Sequence, residues 1–453
     1  MSKLKMKFSK IENMFLLSSL FFAIIFSLFL PPFSGNDEQI HFDNSCQLTN
    51  IEVNRGRLDP NPWGQVSEFN YRKQYGLKGY FKAFYLQKLY RISRKNSIKD
   101  HSKSLWSKRQ YIVPAMGVWV AFHIYPSLGM MEIFGRLFAS IFYSIIMYFV
   151  IKKVKYGKLL FFAISLCPTM LLECFSCSYG SINYLVSAGL IVFGINNIFE
   201  RRKFDKKQLL LLFIFSLVVY VFGKMNSVIL LLFDVPILLS MFINTYQNYN
   251  SMFISKIKEY KKYLVLLSLV AFLPIACYFF YKGSGLLLHF RRFITTITAS
   301  NIFEIGLPKW EYLSKGMLTG HGRWTALPIW VYGLWMILLF ILIFSVCKLK
   351  INRIVCSLSL AVFALNIIVV MAYYSIFENN HNPNSLILGP QGRYFTPLFP
   401  LCIFLGQIFN GLKCEISKSC LKRLTYFSVY FSALMLLFKV FQCFYYLGIY
   451  EGI

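Results

Sequence analysis

Apolar runs long enough to cross a bilayer recur from one end of this 453-residue chain to the other, and that recurrence limits the fold more than any motif does. A hydrocarbon core ~30 Å thick needs about 20 apolar residues in a helix, because backbone N–H and C=O groups inside it find no water to pair with. Such runs cover roughly 12–31, 134–151, 158–175, 180–199, 208–223, 226–245, 261–281, 326–347, 353–375, 393–412 and 424–447. With 57% hydrophobic and 15% charged residues, the chain reads as an all-α polytopic membrane protein, a single integral membrane domain over 1–453. The first run, "MFLLSSLFFAIIFSLFL" (14–30), follows a basic N-terminus as a signal peptide would. It lacks a small-x-small cleavage site and ends in Pro31-Pro32, so it reads as a retained first span.

A net charge of +29 would point a soluble protein toward nucleic acid, but here the 48 Lys and Arg are first sorted by side of the membrane. The connections 152–158, 201–207, 256–262, 348–353 and 413–423 carry 4, 5, 4, 3 and 4 of them, and the N-terminus 4 more. Those near 176–179, 224–225, 376–392 and 448–453 carry only Lys224. The two sets alternate only if the further apolar run 112–131 does not cross, so it is placed as a re-entrant or interface-lying helix. The result is about eleven spans with a cytoplasmic N-terminus. Two long segments then face outward, a first loop over 32–133 holding juxtamembrane helices and a second over 282–325. In the first, "YFKAFYLQKLYRISRK" (80–95) sets Phe81, Phe84, Tyr85, Leu89 and Ile92 on one helical face, as a helix at the headgroup level or one docked on the fold does.

The 11 cysteines lie mostly in apolar segments, and "CFSC" (174–177) is their only close pair. They read as small buried apolar residues rather than a disulfide framework or a zinc site.

The chain has 19 acids, yet three of them crowd "LPPFSGNDEQIHFDN" (30–44) at the exit of the first span. Pro31, Pro32 and Gly35 end the helix and force a turn. Asp37 and Glu38 then sit at the water boundary, where a partly desolvated carboxylate serves as a general base. Asp37 is the preferred base, Glu38 its runner-up, and His41 a residue that orients it or meets the acceptor. Asp43 has a weaker claim. A divalent metal at Asp37 and His41 is not favoured, for want of further ligands at fixed spacing. On the same side lie Arg393, suited to a forked phosphate contact, and Lys224, suited to a point charge, with headgroup snorkelling as the alternative for each. His321 and Arg323, in "LTGHGRW" (318–324), are further candidates for carrier phosphate. Glu173 and Asp234 fall inside spans, where an acid needs a partner, and a structural role is the reading for both.

"PPFSGNDEQIHF" also resembles the signature, Pro-Pro, then Asp-Glu, then His-Phe, that follows the first span in a large bacterial family of membrane proteins of unknown function, grouped with the GT-C glycosyltransferases. Residues 135–185, "GRWTALPIW" (322–330) and above all "QGRYFTPLFP" (391–400) resemble further stretches of that family. The resemblance implies a GT-C-like fold whose first outward loop holds the catalytic carboxylate, and it draws Gln391 and Tyr394 into the candidate site beside Arg393. The family's Ser-Tyr-Asp turn reads Ser178-Tyr179-Gly180 here, so no catalytic acid is expected at 180. What it implies is an inverting hexosyltransferase, for which the sequence names no cofactor. It would take a hexose, glucose by analogy with serotype-converting enzymes, from a polyprenyl-phosphate carrier to a surface polysaccharide such as lipopolysaccharide O-antigen, on the periplasmic side. The alternatives are an O-antigen polymerase and a flippase or transporter of lipid-linked sugar. A transporter would show repeats and short loops, which this chain does not.

Overall fold

The computed structural model describes residues 10–35, 37–51, 67–90, 105–246, 286–298, 309–320, 325–346, 349, 351–377, 386–387, 389–409, 412 and 414–448. Every regular element among them is helical. Among the described residues six helices are long and apolar enough to cross a membrane: Ile11–Phe29, Leu128–Lys153, Gly180–Phe199, Ser227–Thr245, Arg353–Ile376 and Lys418–Leu447. Ile329–Phe344 and Thr396–Ile408 are shorter apolar helices, and Lys206–Phe222 has 17 residues. The run expected at 158–175 is broken into Lys158–Ser165 and Pro168–Cys174, because Pro168 has no N–H to continue the ladder and clashes with the turn before it. The run expected at 261–281 lies outside the described residues.

Helix α1 (Ile11–Phe29) and α5 (Leu128–Lys153) run antiparallel, each with one face packed and the other exposed. Ser19 and Ser144 bond at 2.6 Å halfway along, Lys158 reaches Glu12 at 3.2 Å at one end, and Arg136 bonds the carbonyls of Leu30 and Pro31 at the other. Between them in the chain come α2 (Glu38–Leu48), α3 (Ser67–Phe81) and α4 (Ile112–Ile124). The 13 residues of α4 turn at 125–127 straight into α5 and lie along its first half. A Cβ at Gly117 would sit 2.2 Å from the Phe134 carbonyl oxygen, so only glycine allows the two backbones to approach this closely. Both ends of α4 therefore stay at the same end of the bundle, and residues 128–131 belong to α5.

The remaining helices are α6 (Lys158–Ser165), α7 (Pro168–Cys174), α8 (Gly180–Phe199), α9 (Lys206–Phe222), α10 (Asp234–Thr245), α11 (Leu286–Thr298), α12 (Lys309–Leu318), α13 (Ile329–Phe344), α14 (Arg353–Phe377), α15 (Leu405–Ile408) and α16 (Lys418–Val440). The basic connections that fall among the described residues gather at one end. Lys155 pairs with Glu200, the Phe204 N–H donates to Thr245 at 2.7 Å, the Leu349 N–H to Gln407 at 3.0 Å, and the Cys414 N–H to Phe344 at 3.3 Å. At the opposite end the turn after α1, the α7–α8 turn and the 3₁₀ turn Gly392–Tyr394 come together.

The helix expected over 80–95 stops early, since a π turn over Lys82–Leu86 gives way to extended chain at Gln87. Phe84 and Leu89 are buried in the protein core and Tyr80 packs against both Phe84 and Phe444, while Phe81, Leu86 and Tyr90 stay exposed. Arg72 anchors this segment on the carbonyls of Phe444 and Tyr445, at 3.0 and 3.1 Å. Ile92 lies outside the described residues.

Candidate active site

The chain leaves α1 through Pro31 and Pro32 and turns with Phe33 and Asp37 in the left-handed region, at φ 62° and 53°. Such a backbone is costly for residues with a Cβ, so something must hold it. Arg136, on α5 and fully buried, does so. It donates to the Leu30 and Pro31 carbonyls at 2.5 and 2.8 Å, to both oxygens of Glu38 at 2.8 and 2.6 Å, and to Glu132 Oε1 at 3.1 Å. Glu132 Oε1 in turn accepts the Phe33 N–H at 2.7 Å. Glu38 is completed by the Gly35 and Cys177 N–H groups, each at 2.8 Å. Burial raises its pKa, but Arg136 and the two N–H donors outweigh that and hold Glu38 below the usual carboxylate range. Each of its oxygens already accepts two N–H donors and its side chain is 0% exposed, so the expected runner-up base is placed as the brace of the turn.

Asp37, one residue earlier, is 48% exposed, and its Oδ2 accepts from Arg393 Nη2 at 2.6 Å. Arg393 is 2% exposed, donates from Nη1 to Glu173 at 2.7 Å and from Nε to Gln391. Its turn is seated under α12, where a Cβ at residue 392 would lie 2.1 Å from the Leu313 carbonyl oxygen, so the residue before the arginine must be glycine. Lys224 joins from the α9 side, donating to the Tyr179 hydroxyl and lying 4.0 Å from the Tyr394 ring centroid. Burial first, then the Arg393 charge, push its pKa down to about 8. A small cavity of about 20 Å³ is lined by Glu173, Tyr179, Lys224, Arg393 and Tyr394, among others.

His41 stands beside this group without touching the Asp37 carboxylate. Its Nδ1 meets the Tyr111 hydroxyl at 2.9 Å, its ring lies edge-on to Tyr179 at 4.8 Å, and only its backbone N–H reaches Asp37, at the carbonyl, 3.1 Å away. Burial, then Arg393 and Lys224, hold its pKa well below the ordinary range, so it is neutral. Asp43 lies half-buried on α2. His321 and Arg323 lie outside the described residues. Among the described residues no three His, Cys, Asp or Glu side chains come together as metal ligands.

The fold thus brings Asp37, Arg393, Lys224, Gln391 and Tyr394 into one cluster, and adds Glu173, which sequence reasoning had assigned a structural role, and Tyr179. Arg136 and Glu132 were missed altogether. Their signal was present: opposite charges four residues apart at the head of an apolar run, where an ionisable residue needs a partner. Asp234, read as a structural acid within a span, accepts from Ser216 at 2.7 Å.

A helical bundle with several candidate spans and buried charges clustered at one end is a polytopic membrane protein. The chain belongs to the family described as predicted membrane protein (DUF2142), which it matches over residues 20–402. That range holds Asp37, Glu173, Lys224 and Arg393. No curated protein and no solved structure matches it.

Proposed function

We propose that this protein is a glycosyltransferase that moves a hexose, such as glucose, from a polyprenyl-phosphate carrier to a bacterial surface polysaccharide such as lipopolysaccharide O-antigen, on the outer side of the inner membrane. The observation that carries the reading is the half-exposed Asp37 carboxylate held by the buried Arg393 beside Lys224. A sugar on lipid phosphate already has an activated anomeric carbon. Transfer then needs one base for the acceptor hydroxyl and cations for the departing phosphate.

In this reading Asp37 Oδ1, which has no partner among the described residues, takes the acceptor proton, while Arg393 keeps Oδ2 aimed. The acceptor oxygen attacks the anomeric carbon from the face opposite the phosphate. The carbon–oxygen bond to phosphate breaks, and its electron pair goes to the phosphate oxygen. Arg393 and Lys224 supply the charge that stabilises the resulting dianion, with Glu173 keeping the buried guanidinium compensated before donor arrives. The Tyr179 and Tyr394 rings border the same cavity, with the Lys224 ammonium lying over both.

The test measures transfer of radiolabelled glucose from polyprenyl-phosphate glucose to polysaccharide, in membranes holding equal amounts of wild type and Asp37→Asn. Transfer is expected to fall roughly 10²- to 10⁴-fold. Full activity in the variant would overturn the assignment.

A further inference from the structure

The 3₁₀ turn Leu105–Tyr111 stands between the candidate active site and the exposed apolar side of α9. Its last residue faces the site. The Tyr111 hydroxyl meets His41 Nδ1 at 2.9 Å, and its ring centroid lies 5.8 Å from that of Tyr179, whose hydroxyl accepts from Lys224. Its middle closes the end of α9: Arg109 donates from Nε to the Val221 carbonyl, and Gln110 from Nε2 to the Gly223 carbonyl at 2.7 Å, directly before Lys224. Trp106 faces outward and is 67% exposed, with the Arg109 guanidinium 5.0 Å from its ring centroid.

We propose that this turn is where the polyprenyl phosphate enters the site from the bilayer, with Arg109 receiving its phosphate and the outer face of α9 its isoprenoid chain. The inference rests on the transferase reading above. Arg109 is half-buried, and its partners among the described residues are the Val221 and Trp106 carbonyls and the Trp106 ring, none of them an acid. The C-terminus of α9 offers about half a negative charge at most, so part of the cation's charge is left to an anion. An exposed Trp beside an Arg is the pair that settles at headgroup level. Below it Leu210, Phe213, Leu217 and Tyr220 are all exposed, and their spacing of three and four puts them on one face of α9. From Leu210 to Tyr220 the helix rises about 15 Å, half of a ~30 Å hydrocarbon core, so the stripe runs through one leaflet up to Arg109. Lys224 and then Arg393 continue the line of cations inward, so a phosphate passes from the bilayer edge to the buried cluster without leaving a positive field. That continuity selects a lipid phosphate that reacts in the site over a bulk headgroup.

The test uses the full-length protein in phosphatidylcholine nanodiscs doped with undecaprenyl phosphate, undecaprenol or phosphatidylglycerol. Native mass spectrometry follows which lipid the released protein retains, and a thermal midpoint is taken for each variant. One undecaprenyl phosphate is expected to be retained in preference to the other two. Its retention should be about tenfold weaker in Arg109→Gln and in Trp106→Ala, largely restored in Arg109→Lys, and unchanged in Lys207→Gln, which removes a cation at the far end of α9. Wild-type retention in Arg109→Gln would overturn the inference. So would an Arg109→Lys protein that loses as much as Arg109→Gln, since the arginine would then serve only to close α9. Phosphatidylglycerol held as well as undecaprenyl phosphate, with the same dependence on Arg109, would also overturn it, by making the turn a site for bulk headgroups. No acceptor is present, so a failure here leaves Asp37-dependent transfer standing, and a failure of transfer leaves Arg109-dependent retention standing.

Discussion

Asp37 and Glu38 adjoin in the chain, yet their carboxylates are held by two different arginines. Arg393 bonds Asp37 at 2.6 Å where water reaches it, and Arg136 bonds Glu38 at 2.6 Å where it does not. The left-handed backbone at Asp37 is what parts them. One carboxylate is thereby left accessible while the other ties the turn to α5.

Replacing Glu38 should therefore act on the protein rather than on chemistry. Glu38→Gln leaves Arg136 with a buried charge less well compensated, a loss of about 3 kcal/mol for a broken buried pair. The expected outcome is a thermal midpoint well below wild type and a low level in the membrane, whereas Asp37→Asn keeps both. A Glu38→Gln protein as stable as wild type would show that Arg136 does not brace the turn.

Arg393→Lys keeps the charge but cannot bond Asp37, Glu173 and Gln391 at once from one planar fork. In the proposed reaction the KM for lipid-phosphate donor should rise at least about tenfold while the protein stays inserted. Unchanged donor kinetics would leave Arg393 with a structural part only.

The pH dependence has a defined sign. The Lys224 pKa of about 8 lies below the ordinary lysine value, so in the folded protein its charge is present below pH 8 and lost above it. Donor affinity should then fall as the pH rises through 8, and Lys224→Arg should keep it flat over that range. Between pH 8 and the unfolded value the unfolded chain holds more protons than the folded one, so stability contributed by this group rises with pH while donor binding falls. Affinity and stability falling together would exclude Lys224 as the group responsible.

Gly392→Ala tests the seat of the arginine turn. The added methyl meets the Leu313 carbonyl and the Gly316 backbone, which have no flexible end to move aside. Overpacking of that kind costs about 1–3 kcal/mol, and here it should also displace Arg393 from Asp37. Loss of transfer out of proportion to loss of folded protein is the expected result.

The sidedness is open to a direct measurement. In a Cys420→Ser background, Lys155→Cys and Lys78→Cys are expected to react with a membrane-impermeant maleimide from opposite sides, because residue 155 lies at the end marked by Glu12 and Lys158 and α3 docks where Tyr445 meets Phe29. Labelling of both from one side would mean that the bundle is not crossed as the helices imply.

The amino-acid sequence by itself determined the class of fold. Each span carries its own signal, a run of apolar side chains whose length the bilayer sets, so the windows at 180–199 and 353–375 needed no partner to be recognised. It also named Asp37, Arg393 and Lys224, because acids are few in the chain and the short connections on that side carry Lys224 alone, while Gln391 and Tyr394 came in through the resemblance of "QGRYFTPLFP". What tertiary structure alone decided was the division of labour among them. Glu38 and Asp37 are adjacent acids in the sequence, and only the position of Arg136, about a hundred residues further along the chain, makes one a brace and leaves the other at the water boundary, held by Arg393. Glu173 entered the site the same way, through an arginine 220 residues distant. Contacts of that range depend on how spans pack against one another, and neither periodicity nor charge count along a single helix records it.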